Sequence, residues 1–439
     1  MLELLLILLF VLLIINYALG KREILSPAFL FTLGFLVSVA WAYAFRDKWG
    51  LNLKIETFWV ILGGVGLFSI VAAIVSIFFM KRTLIEGLEC DNRYEISVSR
   101  TGGIIIIGIM LVTIVYTVFE VQKIAPSGSI MGSIYAYRMQ TTNITTDNAS
   151  SLVLPKLLAL LRNFTDAAGY FFAYILANEL FKRKRVNVVA LVITFLSLIN
   201  GMLLGSRTGA FMLLLSFMIF LYIMYRASSN WKKHLSLKML GMIALLFIII
   251  IFTFQSFAGL LGREVGSFSK ANYLAIYFGA EIKNLDTFIQ AGQFPIRPHG
   301  TFGAQTFLEF NRTFGKFFGS NATVILDLPF QNINGLSLGN VYTTFYAFLY
   351  DFGYRGVVLL VILMSFVSQF VYEKVRHFTR QGDISIYTLI YSRIAVCLIL
   401  SFFSDKFYEG IFAITFIKTV AWWVVLRWIF VRNRVGILK

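Results

Sequence analysis

The chain has 439 residues, 58% of them hydrophobic, 16% aromatic and only 14% charged, a composition that excludes a soluble globular protein and fits a polytopic membrane protein. Its net charge of +17 would point to nucleic acid in a soluble chain, but here it is read as an orientation signal, so nucleic acid is set aside as a partner. The two cysteines, Cys90 and Cys397, build neither a disulfide framework nor a metal-ligand cluster.

In chain order, eleven apolar runs approach the ~20 residues that a bilayer requires: 2–19, 28–45, 57–80, 103–119, 157–180, 186–204, 209–225, 239–257, 354–372, 385–403 and 411–430. The first lacks a basic leader and a small-residue cleavage site, so it is expected to stay as a span. Alternate loops (20–27, 81–102, 181–185, 226–238, 373–384 and 431–439) hold 20 of the 39 basic residues, while the much longer opposite loops hold 14. The positive-inside rule then puts the first set in the cytoplasm, the amino terminus outside and the carboxyl terminus inside. The block Lys182-Arg183-Lys184-Arg185 is the clearest anchor.

The expected fold is therefore an all-α polytopic membrane protein of about eleven transmembrane helices with a large external loop carrying amphipathic helices. Three segments follow: 1–257 with the first eight spans, 258–353 with the large loop and a re-entrant stretch, and 354–439 with the last three. Segment 120–156, rich in Ser, Thr and Asn, reads as a mobile external loop. In 258–340, Leu274, Tyr277, Phe278, Ile282, Leu285, Phe288 and Ile289 recur at helical spacing, as do Phe307, Phe310, Phe314, Phe317 and Phe318. Two amphipathic helices separated by Pro295 and Pro298 are expected. The apolar stretch 341–349 is too short to span; it should dip or pack, then turn at Gly353 and Gly356 into the ninth span.

Between the sixth and seventh spans lies Leu203-Leu204-Gly205-Ser206-Arg207-Thr208-Gly209. An arginine in so short a turn either snorkels to head groups or uses its planar fork to hold a diphosphate at the membrane surface. The external face also collects Arg263, Arg297, His299, Arg312, Glu281, Asp286, Glu309, Asp351 and Asp405. No phosphate-binding glycine loop, zinc-like cluster or Ser-His-Asp arrangement can be assembled from them.

The set does suit transfer from a donor already activated by a lipid diphosphate. Arg207 and Arg263 would stabilise the developing diphosphate charge, and Asp351 first, or Glu281 second, would take the proton of the attacking hydroxyl. For Asp351 the competing reading is an ion pair with Arg355 or a cap beside Gly353. Ser206, Arg297, His299, Asn340 and Tyr342 are the substrate-binding candidates. Neither a cofactor nor a metal is expected.

Gly205-Ser206-Arg207-Thr208-Gly209 between two spans, Gly262-Arg263 opening a long external loop, and Gly339-Asn340-Val341-Tyr342-Thr343 followed by Asp351-Phe352-Gly353 and Gly356 resemble the O-antigen or oligosaccharide repeat-unit polymerases (Wzy). The resemblance covers roughly residues 186–372. It implies a glycosyltransferase of the membrane-embedded C type that polymerises undecaprenyl-diphosphate-linked oligosaccharide outside a bacterial plasma membrane. It also implies a chain-length-regulating co-polymerase as partner, and that Arg207 and Arg263 hold the donor diphosphate. Related O-antigen ligases often carry His-Asn where this chain has Gly339-Asn340, which argues against a ligase. The other class weighed is a flippase for the same lipid-linked units, which would need ionisable residues along a path through several spans. Only Arg162, Asp166, Arg393 and Lys418 qualify.

Overall fold

The computed structural model describes residues 1–83, 94–96, 99–142, 153–229, 231, 241, 270–296, 302–314, 328–333, 335–378 and 384–433. In chain order the helices and strands are α1 (Leu2–Leu19), α2 (Pro27–Ala44), α3 (Ile55–Thr83), β1 (Tyr94–Ile96), α4 (Arg100–Ile124), α5 (Ile130–Thr142), α6 (Lys156–Arg183), α7 (Val188–Met202) and α8 (Thr208–Ala227). There follow α9 (Lys270–Phe278), α10 (Ala280–Ala291), α11 (Leu308–Phe314), β2 (Gln331–Ile333), β3 (Leu336–Gly339), α12 (Thr344–Phe378), α13 (Ile386–Ile399), α14 (Lys406–Ile411), α15 (Ile414–Phe430) and β4 (Val431–Asn433).

The protein is mostly helical, and among the described residues six helices are long and apolar enough to cross a membrane: α1, α2, α3, α4, α8 and α12. Val188–Met202 and Ile386–Phe402 are shorter apolar helices. Apart from residue 241, the run 239–257 lies outside the described residues, as does the Asn-rich stretch beyond Thr142. Strands are few: β1 pairs antiparallel with β4, and β2 with β3 in a short hairpin.

Contacts group the chain into two units, each drawn from separate stretches, so neither coincides with the sequential segments expected from the sequence. The first comprises 1–88, 268–374 and 393–416. Pro27 opens α2 in its first turn, where the missing N–H costs nothing. Asn16 of α1 is buried and its amide donates to Thr32 Oγ1 at 2.8 Å and Ser69 Oγ at 2.9 Å, tying α1, α2 and α3 together. An amide in an apolar helix is stable there only because it is bonded. Phe31 stacks on Phe68 at 4.4 Å and Phe35 lies 5.1 Å from Phe345, so the start of α12 packs inside this unit. Gly64 makes room for it, since a Cβ there would stand 2.5 Å from the Phe345 ring. The helix breaks at Gly353, where φ 64 and ψ −157 suit glycine alone.

Two expectations change in this unit. The first amphipathic helix is two, α9 and α10, because Gly279 comes so close to α2 that a Cβ would lie 2.7 Å from Ala42 N. Moreover α10 buries polar as well as apolar faces: Glu281, Asn284 and Asp286 are as enclosed as Ile282 and Leu285. Asp286 is held there by Thr57 Oγ1 at 2.7 Å and by the backbone N–H of Lys54 at 3.1 Å. The second amphipathic helix is the single short α11; Phe317 and Phe318 lie outside the described residues.

The second unit comprises 89–267, 375–392 and 417–439. Its centre is α6, whose buried stretch from Ala167 to Ala177 packs on α7 and α8. Close packing is bought by glycine: a Cβ on Gly169 would meet Ser197 Oγ, and one on Gly103 would stand 2.4 Å from Val189. Trp423 Nε1 donates to the Ala167 carbonyl at 3.0 Å, and Asn163 Nδ2 to Thr419 Oγ1 at 2.9 Å, fixing α15 to α6. The expected mobile loop 120–156 is corrected here, for α5 occupies 130–142. Ile134 and Tyr137 bury one side of α5 against Val121 and Ala125, which compensates for its polar Gln140, Thr141 and Thr142.

Candidate functional site

The α7–α8 turn is built by residues that could do little else. Gly205 has φ +70, and its amide donates to the Met202 carbonyl at 2.9 Å, closing the end of α7. Ser206 is half-buried and its Oγ accepts from Thr208 N at 3.4 Å. Arg207 stands at the cap position of α8 and is only 7% exposed. A side chain reaching out to head groups would be exposed; this one is enclosed by protein.

Two further arginines lie in the same unit, Arg138 against this turn and Arg162 against the last turn of α7. Arg138 of α5 lies against Gly205: a Cβ on Gly205 would be 2.6 Å from Arg138 Cβ. Leu203 and Leu204 pack on the cluster made by Ile134 and Tyr137. Arg162 of α6 donates from Nη1 to Asn200 Oδ1 at 2.9 Å and to Thr117 Oγ1 at 3.2 Å, and from Nη2 to the Asn200 carbonyl at 2.8 Å. Tyr137 faces this guanidinium; burial pushes its phenol up and Arg162 pulls it down. Asp166 is also within electrostatic reach of Arg162. Of these, Arg162 was legible as an intramembrane cation, whereas Arg138 sat in a stretch read as loop. Its cue was the recurrence of Ile130, Ile134 and Tyr137 at helical spacing.

The carboxylates Asp351, Glu281 and Asp405 lie in the other unit. Asp351 is 3% exposed and accepts from the backbone N–H of Gln305 at 3.1 Å and of Thr306 at 2.7 Å. It caps the turn that leads into α11, so a base at this position would first have to give up those donors. Glu281 has no exposed surface and neither carboxyl oxygen has a hydrogen-bond partner; burial holds its pKa well above the usual carboxyl range. Asp405 is buried too, accepting from Thr344 Oγ1 at 3.0 Å and from Tyr408 N at 3.4 Å, and burial with Glu409 nearby pushes it up.

Tyr342 is enclosed, with its hydroxyl donating to the Pro329 carbonyl at 2.9 Å and accepting from Gln331 Nε2 at 3.1 Å, and its ring 4.3 Å from Tyr346. That arrangement anchors the β2–β3 hairpin and leaves no ring face for a sugar. Asn340 is half-buried just after Gly339, whose φ is +70. Arg263, Arg297 and His299 lie outside the described residues. Among the described residues, no three His, Cys, Asp or Glu side chains are grouped so as to hold a metal ion. Comparison with protein-family models, curated proteins and solved structures returned no match.

Proposed function

We propose that this protein is an integral-membrane glycosyltransferase that polymerises undecaprenyl-diphosphate-linked oligosaccharide repeat units on the outer face of a bacterial plasma membrane. The observation that carries the reading is the enclosure of Arg207, 7% exposed at the end of a membrane helix, at a turn on which Arg138 packs. Placing a guanidinium at membrane depth costs about 2.5–3.5 kcal/mol on insertion scales. Its planar fork can present paired N–H donors to a ligand diphosphate. In transfer, the bond from the anomeric carbon to the diphosphate oxygen breaks as the acceptor hydroxyl oxygen bonds to that carbon. Arg207, together with Arg263, then neutralises the departing diphosphate. The hydroxyl proton passes to water or to an oxygen of the departing diphosphate and to no side chain, because Asp351 already serves backbone donors and Glu281 is sealed from solvent.

The finer topology belongs to the same proposal: eleven spans, the amino terminus outside, the carboxyl terminus and residues 182–185 inside, and the α7–α8 turn facing out. A chain-length-regulating co-polymerase is the expected protein partner, and no cofactor is required because the donor is already activated. The lipid-linked products of a deletion strain test the reading. A polymerase mutant accumulates single repeat units outside, a flippase mutant holds them inside, and a ligase mutant accumulates finished polymer on lipid. Units held inside would replace the polymerase by a flippase.

A further inference from the structure

The diphosphate reading explains Arg207 but leaves Arg162 without a role, although Arg162 is bonded to two neighbouring helices. Its guanidinium donates to α4 and α7: to Thr117 Oγ1 at 3.2 Å, to Asn200 Oδ1 at 2.9 Å and to the Asn200 carbonyl at 2.8 Å. Asn200 belongs to the last turn of α7, where carbonyls have no partner within the helix. A cation donating to such a carbonyl satisfies it and also sits at the favourable end of the helix dipole.

The contact continues past Asn200. A Cβ built on Gly201 lies 3.3 Å from Ala210 N and 3.6 Å from the Gly209 carbonyl carbon, so the end of α7 is pressed directly on the first turn of α8. Arg207 caps that turn, and its carbonyl accepts from Phe211 N at 3.0 Å. A rigid path of backbone therefore links the Arg162 fork to Asn200, Gly201, the start of α8 and Arg207. None of its steps relies on a long flexible side chain other than the arginine itself.

We propose that Arg162 is a positioning residue for lipid-diphosphate recognition: by clamping Asn200 it fixes the end of α7 against α8 and so sets the direction of the Arg207 fork. The proposal rests on the diphosphate reading above. Bidentate recognition is sensitive to direction, because a misplacement of about 1 Å can cost on the order of a hundredfold. Arg162 itself need not touch the lipid. Lysine cannot replace it, since one ammonium on a flexible stem does not reproduce a planar fork with donors to two groups at once.

The experiment measures the Kd of the purified full-length protein for undecaprenyl diphosphate and for undecaprenyl monophosphate, alongside the folded fraction, in wild type, Arg162→Lys, Asn200→Ala, the double variant and Arg207→Ala. Each single clamp variant should weaken diphosphate binding about ten- to a hundredfold while changing monophosphate binding much less. The double variant should be no weaker than the weaker single, because both changes open one clamp. A merely structural role would lower the folded fraction and leave the diphosphate preference of the folded molecules intact. Should Arg162→Lys fail to fold, Asn200→Ala, which removes the side-chain acceptor and keeps the cation, carries the same expectation. Wild-type diphosphate preference in the clamp variants, with binding lost in Arg207→Ala, overturns the clamp and keeps the diphosphate reading. Additive losses in the double variant overturn it as well. No diphosphate preference in the wild type overturns the reading and the clamp together.

Discussion

Gly205 lies beneath Arg138, so close that a Cβ on the glycine would stand 2.6 Å from the arginine Cβ and 3.1 Å from the Ile134 carbonyl oxygen. It also has φ +70, a conformation that costs an L-residue roughly 1–2 kcal/mol. Gly205→Ala should therefore lose at least about that much stability and push α5 from the turn, with polymer yield falling at matched abundance. Gly209→Ala is the contrast, since its Cβ would meet only Gly201 at an ordinary 3.8 Å. That variant should be neutral or slightly more stable, as alanine favours helix over glycine by up to about 1 kcal/mol. Thermal unfolding of both proteins checks the pair, and equal stabilities would refute the argument from close approach.

Asp351 is expected to behave as a cap. Asp351→Asn keeps one acceptor oxygen for Gln305 and Thr306 and should cost about 1 kcal/mol, while Asp351→Ala removes both and should cost about 2 or more. Turnover in the Asn variant should track its folded fraction. If turnover instead collapses at normal folded abundance with donor binding retained, the carboxylate takes the acceptor's proton after all.

The helical layout was readable because bilayer length and apolar run length impose the same constraint on each segment, as in Leu2–Leu19 and Thr208–Ala227. The break at Gly353 was readable too, since glycine tolerates a backbone that other residues avoid. What the sequence hid was tertiary. Helix α5 looks like loop because its polar residues outnumber the few that pack on Val121 and Ala125. Glu281, Asn284 and Asp286 look solvent-facing because polarity is ordinarily a surface mark, and only contacts with distant residues such as Thr57 and Val341 show that α10 buries them. Arg207 was picked out by residue type and turn length; its companions Arg138 and Asn200 were not, because spacing along the chain says nothing about a helix packed from elsewhere.

The buried Glu281 gives a pH dependence with a definite sign. Its pKa is raised by burial, so the folded protein keeps a proton that the unfolded chain releases. The corresponding stability is fully present below the ordinary carboxyl pKa and is lost as pH rises through the folded value. Glu281→Gln keeps the neutral shape and removes that titration. The variant should match wild type in mildly acidic buffer and become progressively more stable than wild type as pH rises. Unfolding temperatures of both proteins from pH 5 to 9 would test this, and a gap that widens toward acid would contradict it.

Arg207 offers the sharpest test, because enclosure and snorkelling place different demands on one charge. A snorkelling role needs only a long cationic side chain, so lysine should serve almost as well. Holding a diphosphate uses two N–H donors in one plane, which an ammonium cannot supply. Losing one or two charge-assisted hydrogen bonds, at around 1.5–3 kcal/mol each, corresponds to a fall in rate of roughly tenfold to several thousandfold. Arg207→Lys and Arg207→Ala should therefore both insert at normal levels and both be severely impaired in polymer formation, with single repeat units accumulating. Polymer length and yield at matched membrane abundance are the measurement. Wild-type polymer from Arg207→Lys would mean that the cation sits at this turn only for the membrane, and the diphosphate site would have to be sought elsewhere.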